Sequence, residues 1–163
     1  MKDKNVYEAV LEYRGSDHGW GNEEFHSKAD HKNWTITLFK IQDGDCVGGF
    51  TTQSWHHRGL ISKVRDNNAF LFNLSCARLF PSQHSGTDIY CVSWRGPAFE
   101  GGGAWELAAL REPFNGENNC CSEANKPGYK IGKETDGVTN KLTRKEDGDF
   151  TITELEVWSL KHH

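Results

Sequence analysis

Short runs of alternating apolar and polar residues, rather than helical stripes, dominate the chain. Trp34-Thr35-Ile36-Thr37-Leu38-Phe39 places large apolar residues between threonines, the period-two pattern of a half-buried strand. Residues 68–75 are short, aromatic and almost continuously apolar, which predicts a central strand buried on both faces. Residues 88–94 predict a third strand. Residues 104–110 predict a fourth, bounded by Gly101-Gly102-Gly103 before it and Pro113 after it. Residues 46–52 read as a strand weakened by Gly48-Gly49 unless a neighbour packs closely there. Near the C-terminus the apolar set changes phase, from Phe150 and Ile152 to Leu155 and Val157. One continuous strand cannot bury both sets on one face, so a bulge or break near Thr153 is expected.

One helix is signalled, over 23–30. Asn22 stands in the N-cap position, Glu23 and Glu24 suit the positive end of the helix dipole, and Phe25 and Ala29 fall four apart on one face. Residues 54–67, which include Trp55, His56, His57 and Arg58, read as a loop. Residues 132–149, mixed in charge and rich in turn formers, read as a long loop or irregular hairpin. Several short strands with turn signals between them and little helix predict a mainly β (α+β) fold: a two-sheet antiparallel β-sandwich with short flanking helices.

The composition narrows this reading. The chain has 163 residues, which suits a single domain over 1–163. Nine Phe, six Trp and four Tyr are too many bulky aromatics for a disordered chain. With 19 basic against 23 acidic residues the net charge is −4, which argues against nucleic acid as a partner. No stretch is long and apolar enough for a membrane span, and the first residues lack the apolar core of an export signal. The five cysteines form no CxxC pair and read as reduced thiols in a cytoplasmic protein. Neither a metal nor a cofactor site is written in their spacing.

Five constellations can carry chemistry. Asp17, His18, His26, Asp30 and His31 cluster in sequence, and His26 and Asp30 are spaced for an (i, i+4) pair that orients an imidazole. Trp55-His56-His57 reads as a loop with one packed and one exposed histidine. Gly96-Pro97 with Gly101-Gly102-Gly103 lacks the lysine and spacing of a phosphate loop, and close backbone approach explains it better. Glu154 and Glu156 share a strand face, suited to acid–base work in a cleft or to a negative patch for a partner. Cys120-Cys121 lies near Glu117 and Glu123, which oppose thiolate formation.

Taken in order, the motifs resemble those of the TLDc domain found in oxidation-resistance and nuclear-receptor-coactivator-7-like proteins. Tyr13-Arg14-Gly15-Ser16 with Asp17 and Gly19 is similar to the family's opening segment. Phe25-His26 with Asp30 resembles its F-H-x-x-x-D helix, and Gly48-Gly49-Phe50-Thr51 with Trp55 its double-glycine strand. Ala69-Phe70-Leu71-Phe72, then Gly96-Pro97 with Gly101-Gly102-Gly103, then Glu154-Leu155-Glu156-Val157-Trp158 complete the series. The resemblance covers about 13–158. It departs at Ala104-Trp105-Glu106 and at Glu100, inserted before the glycines, which marks a divergent member.

The resemblance implies a β-sandwich without an agreed cofactor or established reaction. It also implies vacuolar proton-pumping ATPase subunits as partners and a part in oxidative-stress resistance. The leading expectation is a non-enzymatic regulatory domain with Glu154 and Glu156 as its partner-binding candidates. Asp17, His26, Asp30, Gly48, Gly49, Trp55, Gly101, Gly102 and Gly103 are its structural-motif candidates. Two alternatives stay open: a hydrolase or peroxide-handling enzyme using His26/Asp30 or a cysteine, and a carbohydrate- or small-ligand-binding sandwich using exposed tryptophans.

Overall fold

A computed structural model of the chain describes residues 5–42, 44–57, 59, 62–83, 86–101, 104–123, 128–129, 142–144 and 148–163. In chain order these form β1 (Val6–Arg14), α1 (Gly15–His18), α2 (Asn22–Ala29), β2 (Thr35–Ile41), β3 (Cys46–Thr51), β4 (Ser62–Val64), β5 (Phe70–Asn73) and β6 (Arg78–Pro81). Then follow β7 (Ile89–Cys91), β8 (Ala98–Gly101), β9 (Ala104–Ala109), β10 (Cys120–Ser122), β11 (Gly148–Phe150) and β12 (Ile152–His162). The strands make two six-stranded sheets. The first has the order β1-β12-β2-β3-β5-β6 and the second β11-β10-β9-β8-β7-β4. Every pairing is antiparallel. This is the two-sheet sandwich expected from the strand patterns.

The alternating residues of β2 explain its place. Thr35, Thr37, Phe39 and Ile41 turn inward and are buried, while Ile36 and Leu38 face outward. On β12, Ile152 is buried, the register shifts between Ile152 and Glu154, and Leu155 and Val157 then resume the buried series. The phase change is therefore absorbed by a bulge beside Thr153, with Phe150 placed on the separate strand β11. The double glycine of β3 also has the close neighbours it requires. A Cβ at Gly48 would sit 2.2 Å from the Thr37 carbonyl oxygen, and one at Gly49 would sit 2.3 Å from the Phe99 ring.

Between the sheets lies an aromatic core. Trp55 is 1% exposed and meets Phe25 and Phe99 edge-on at 6.1 and 5.3 Å between ring centroids. Its indole N–H donates to the Thr35 hydroxyl at 3.2 Å. Phe25 also packs edge-on against Tyr13 and Phe114. Helix α2 thus closes one end of the sandwich with Phe25 and Ala29, the two residues of its apolar face.

Several elements differ from the sequence reading. Strand β5 is not central: it lies next to the edge strand β6, and Phe70 is only half-buried. The segment read as a loop over 54–67 contains β4, whose three residues pair with β7. Asn22 is the first residue of α2, with Gly21 in the cap position. A carboxylate from the other side of the fold serves instead, because Glu112 accepts the Asn22 backbone N–H. Strand β1 escaped notice because bulges after Val6 and Leu11 break its alternation. Of the loop over 132–149, only residues 142–144 and 148–149 are among the described residues.

The glycine packing generates a test. Gly48→Ala forces a methyl group against a backbone carbonyl that belongs to a hydrogen-bonded neighbour strand. The expected cost is about 1–3 kcal/mol in urea unfolding, in line with other overpacked cores. Unchanged stability would refute the close-packing account of the double glycine.

Candidate functional site

The two ends of the motif series meet at one corner. Strand β1 pairs with β12 so that Arg14 lies opposite Glu156. The Arg14 Nε donates to Glu156 Oε1 at 2.8 Å, and the Trp158 indole N–H donates to Glu156 Oε2 at 2.7 Å. The Arg14 guanidinium also reaches Asp17 at 3.3 Å. Beside it, Glu154 accepts the Ser16 backbone N–H at 3.2 Å and the Ser16 hydroxyl at 2.6 Å. Asp17, Glu154 and Glu156 are therefore brought together. Glu156 and Asp17 share the Arg14 guanidinium and Glu154 holds Ser16, so they act as anchors between β1, α1 and β12 rather than as a paired acid and base.

From this corner an apolar surface runs across the outer face of the first sheet. Trp158 and Leu160 of β12, Ile36 and Leu38 of β2 and Phe72 of β5 line it, with Leu74. It continues past Phe70 to Leu79. Leu74 is 58% and Leu79 68% exposed. The outer face of a sandwich normally alternates to polar residues, so this apolar patch is an exception and a candidate contact surface.

His26 lies elsewhere, on α2, and Asp30 is the residue that caps the helix's C-terminal end. His26 Nδ1 is 2.8 Å from Asp30 Oδ1, and its Nε2 is 2.9 Å from both the Val92 and Arg95 carbonyl oxygens. They border a groove with His57, Ser93, Trp94 and Glu112. Both ring nitrogens are engaged with acceptors, which leaves neither nitrogen to activate a nucleophile. The thiols are no better placed for catalysis. Cys120 and Cys121 are buried and free, and burial pushes the Cys120 thiol far above its ordinary value and that of Cys121 up to about 12. Such thiols are poor nucleophiles. Among the described residues no group of three or more His, Cys, Asp or Glu side chains is arranged to hold a metal ion.

The remaining motif residues have packing roles. Gly48, Gly49 and Trp55 belong to the core described above. Gly101 approaches Gly128 so closely that a Cβ on it would lie 2.0 Å from the Gly128 Cα. Gly102 and Gly103 lie outside the described residues. Of the tryptophans considered as ligand platforms, Trp94 is 50% exposed, whereas Trp105 stacks under the Arg95 guanidinium at 4.6 Å.

The sequence reading passed over Glu106 as a chemical group, although the departure Ala104-Trp105-Glu106 pointed at it. Phe99 pairs with Leu107 and Glu100 with Trp105, which leaves Glu106 as the extra residue of a bulge. The bulge turns it inward, where it is fully buried. Its Oε1 accepts the backbone N–H groups of Gly128 and Tyr129 at 3.0 and 3.1 Å, while Oε2 has no partner among the described residues. Burial pushes its carboxyl up to about 8, against the pull of the two N–H donors and with help from Asp88 and Glu100.

The folded chain keeps the Glu106 proton in a range where an unfolded chain, with an ordinary glutamate, has lost it. The contribution of this group to stability is therefore fully present below about pH 4.5 and falls as pH rises towards about 8. Glu106→Gln removes this contribution. Relative to the variant, the wild type is expected to lose up to about 1.4 kcal/mol per pH unit across that window in urea titrations. Parallel curves for the two proteins would refute it.

No curated protein sequence matches the chain. The sequence does match the model of the TLDc domain family over residues 1–161, which adds β1 and the end of β12 to the motif-bearing span. With the ordered motifs and the sandwich that carries them, this match makes the chain a member of the TLDc domain family.

Proposed function

We propose that this domain works as a non-enzymatic, cytoplasmic protein-interaction module that engages subunits of the vacuolar proton-pumping ATPase and contributes to oxidative-stress resistance. Membership of the TLDc family supports the choice of partner. The observation that carries the interaction role is the apolar outer face of the first sheet, with Leu74 and Leu79 exposed. A partner that covers this face removes apolar area from water at roughly 25 cal/mol per Å². The corner of Arg14, Glu154 and Glu156 forms its charged rim, which suits selection of partner and orientation.

The test is affinity capture from host lysate, read by mass spectrometry, with the wild type, Leu79→Glu and the double variant Glu154→Ala/Glu156→Ala. A melting curve for each variant checks that it folds. The expected result is enrichment of proton-pump subunits by the wild type and their loss with Leu79→Glu, whose charge sits on the solvent side of an edge strand. Reduced capture by the folded double variant would place the rim in the contact. Absence of pump subunits from the wild-type capture would overturn the reading.

A further inference from the structure

The surroundings of His26 go beyond a packing role. The ring packs edge-on with Phe25 at 5.0 Å between centroids, and its side chain is only 12% exposed. Three oxygen acceptors surround its two nitrogens: the Asp30 carboxylate at Nδ1, and the Val92 and Arg95 carbonyls at Nε2. A neutral imidazole has one N–H and one lone pair. Either tautomer would point a lone pair at an oxygen less than 3 Å away. Only the imidazolium donates on both sides.

We propose that His26 is a proton-operated clasp: as the imidazolium it fastens α2 to the turn formed by residues 92–95, and on losing its proton it releases that turn together with the exposed Trp94. The clasp spans 66 to 69 residues of sequence, so it joins two parts of the fold that no strand pairing connects. The Arg95 N–H closes the turn onto the Val92 carbonyl at 3.4 Å, which makes that carbonyl the common acceptor of the turn and the clasp.

Of the charged groups near the ring, the Asp30 carboxylate favours its charge. Asp30 caps the C-terminal end of α2, Glu23 stands in its first turn, and Glu112 lines the same groove from the loop after β9. His57, from the segment after β3, has its ring centroid 6.4 Å away. The Arg95 side chain turns to Trp105 instead. Burial works against the cation, but the Asp30 hydrogen bond and charge and the two carbonyls outweigh it, so His26 holds its proton above the ordinary histidine value. The sign follows. The clasp is fully effective below about pH 6.5, the ordinary histidine value, and is lost as pH rises through the higher value of the folded chain.

The experiment is long-range ¹H–¹⁵N NMR of the full chain between pH 5 and 9, with amide-exchange protection factors at Arg95. His26 is expected to carry protons on both nitrogens at pH 6 and to titrate above the ordinary histidine value, with Arg95 protection falling through the same midpoint. Asp30→Asn should move that midpoint down, and His57→Gln should leave Arg95 protection coupled to His26. His26→Gln should give low, pH-independent Arg95 protection. If that variant fails to fold, the Asp30→Asn shift carries the test. A single neutral tautomer at pH 6, a midpoint at or below the ordinary value, or Arg95 protection that ignores the transition would each overturn the proposal.

Discussion

The two sheets of this domain can meet only because β3 has no side chain where the Phe99 ring arrives. Gly49 leaves the space, Phe99 fills it, and Trp55 then packs edge-on against Phe99. Phe25 also meets Trp55 edge-on and brings α2 with it. The inter-sheet distance, the seat of the indole and the position of the helix therefore share one origin. Such a core has little freedom to repack, because interiors are filled close to crystal density. The groups with chemical potential are held at its margins, by hydrogen bonds to backbone from elements distant in sequence.

Those margins divide the work. At one corner Arg14, Glu154, Glu156 and Ser16 hold the opening of the chain to its closing strand through charge-assisted bonds on a partly exposed surface. Exposed ion pairs of this sort contribute little to stability, so geometry is their main product. At the groove, the His26 contacts are less exposed and fewer, and each is correspondingly sensitive to protonation. Glu106 completes the series as a wholly buried acid among the glycines. The three sites grade from solvent-screened to dry.

Much of the architecture was legible in the residues. The threonine alternation of β2 and the apolar face of α2 obey simple periodicities, and structure and pattern agree there. The phase change before Leu155 was readable as a bulge because a register slip exposes half of a strand's apolar set. Strand β1 was not readable, since two bulges scramble its period and only Tyr13 is buried. The place of β5 was misjudged because an apolar outer face imitates burial on both sides. At the site, the His26–Asp30 spacing was visible, whereas the Val92 and Arg95 carbonyls were not, because backbone acceptors leave no mark in a sequence. Glu106 stood out only as part of Ala104-Trp105-Glu106, a departure from the family pattern just after the glycine turn. Its burial depends on which residue of a bulge turns inward.

The position of β12 has a consequence for synthesis. It is the last strand made, yet it lies second in its sheet, hydrogen-bonded on one side to β1 and on the other to β2. Until residues 152–162 leave the ribosome, β1 has no strand neighbour and β2 is paired only with β3, its other edge open. The first sheet is thus completed after translation of the domain, by insertion of a strand between two that have waited for it. Any message shortened before that point yields a chain with β1 unpaired and an open edge on β2, the form of a β-protein most prone to join its copies.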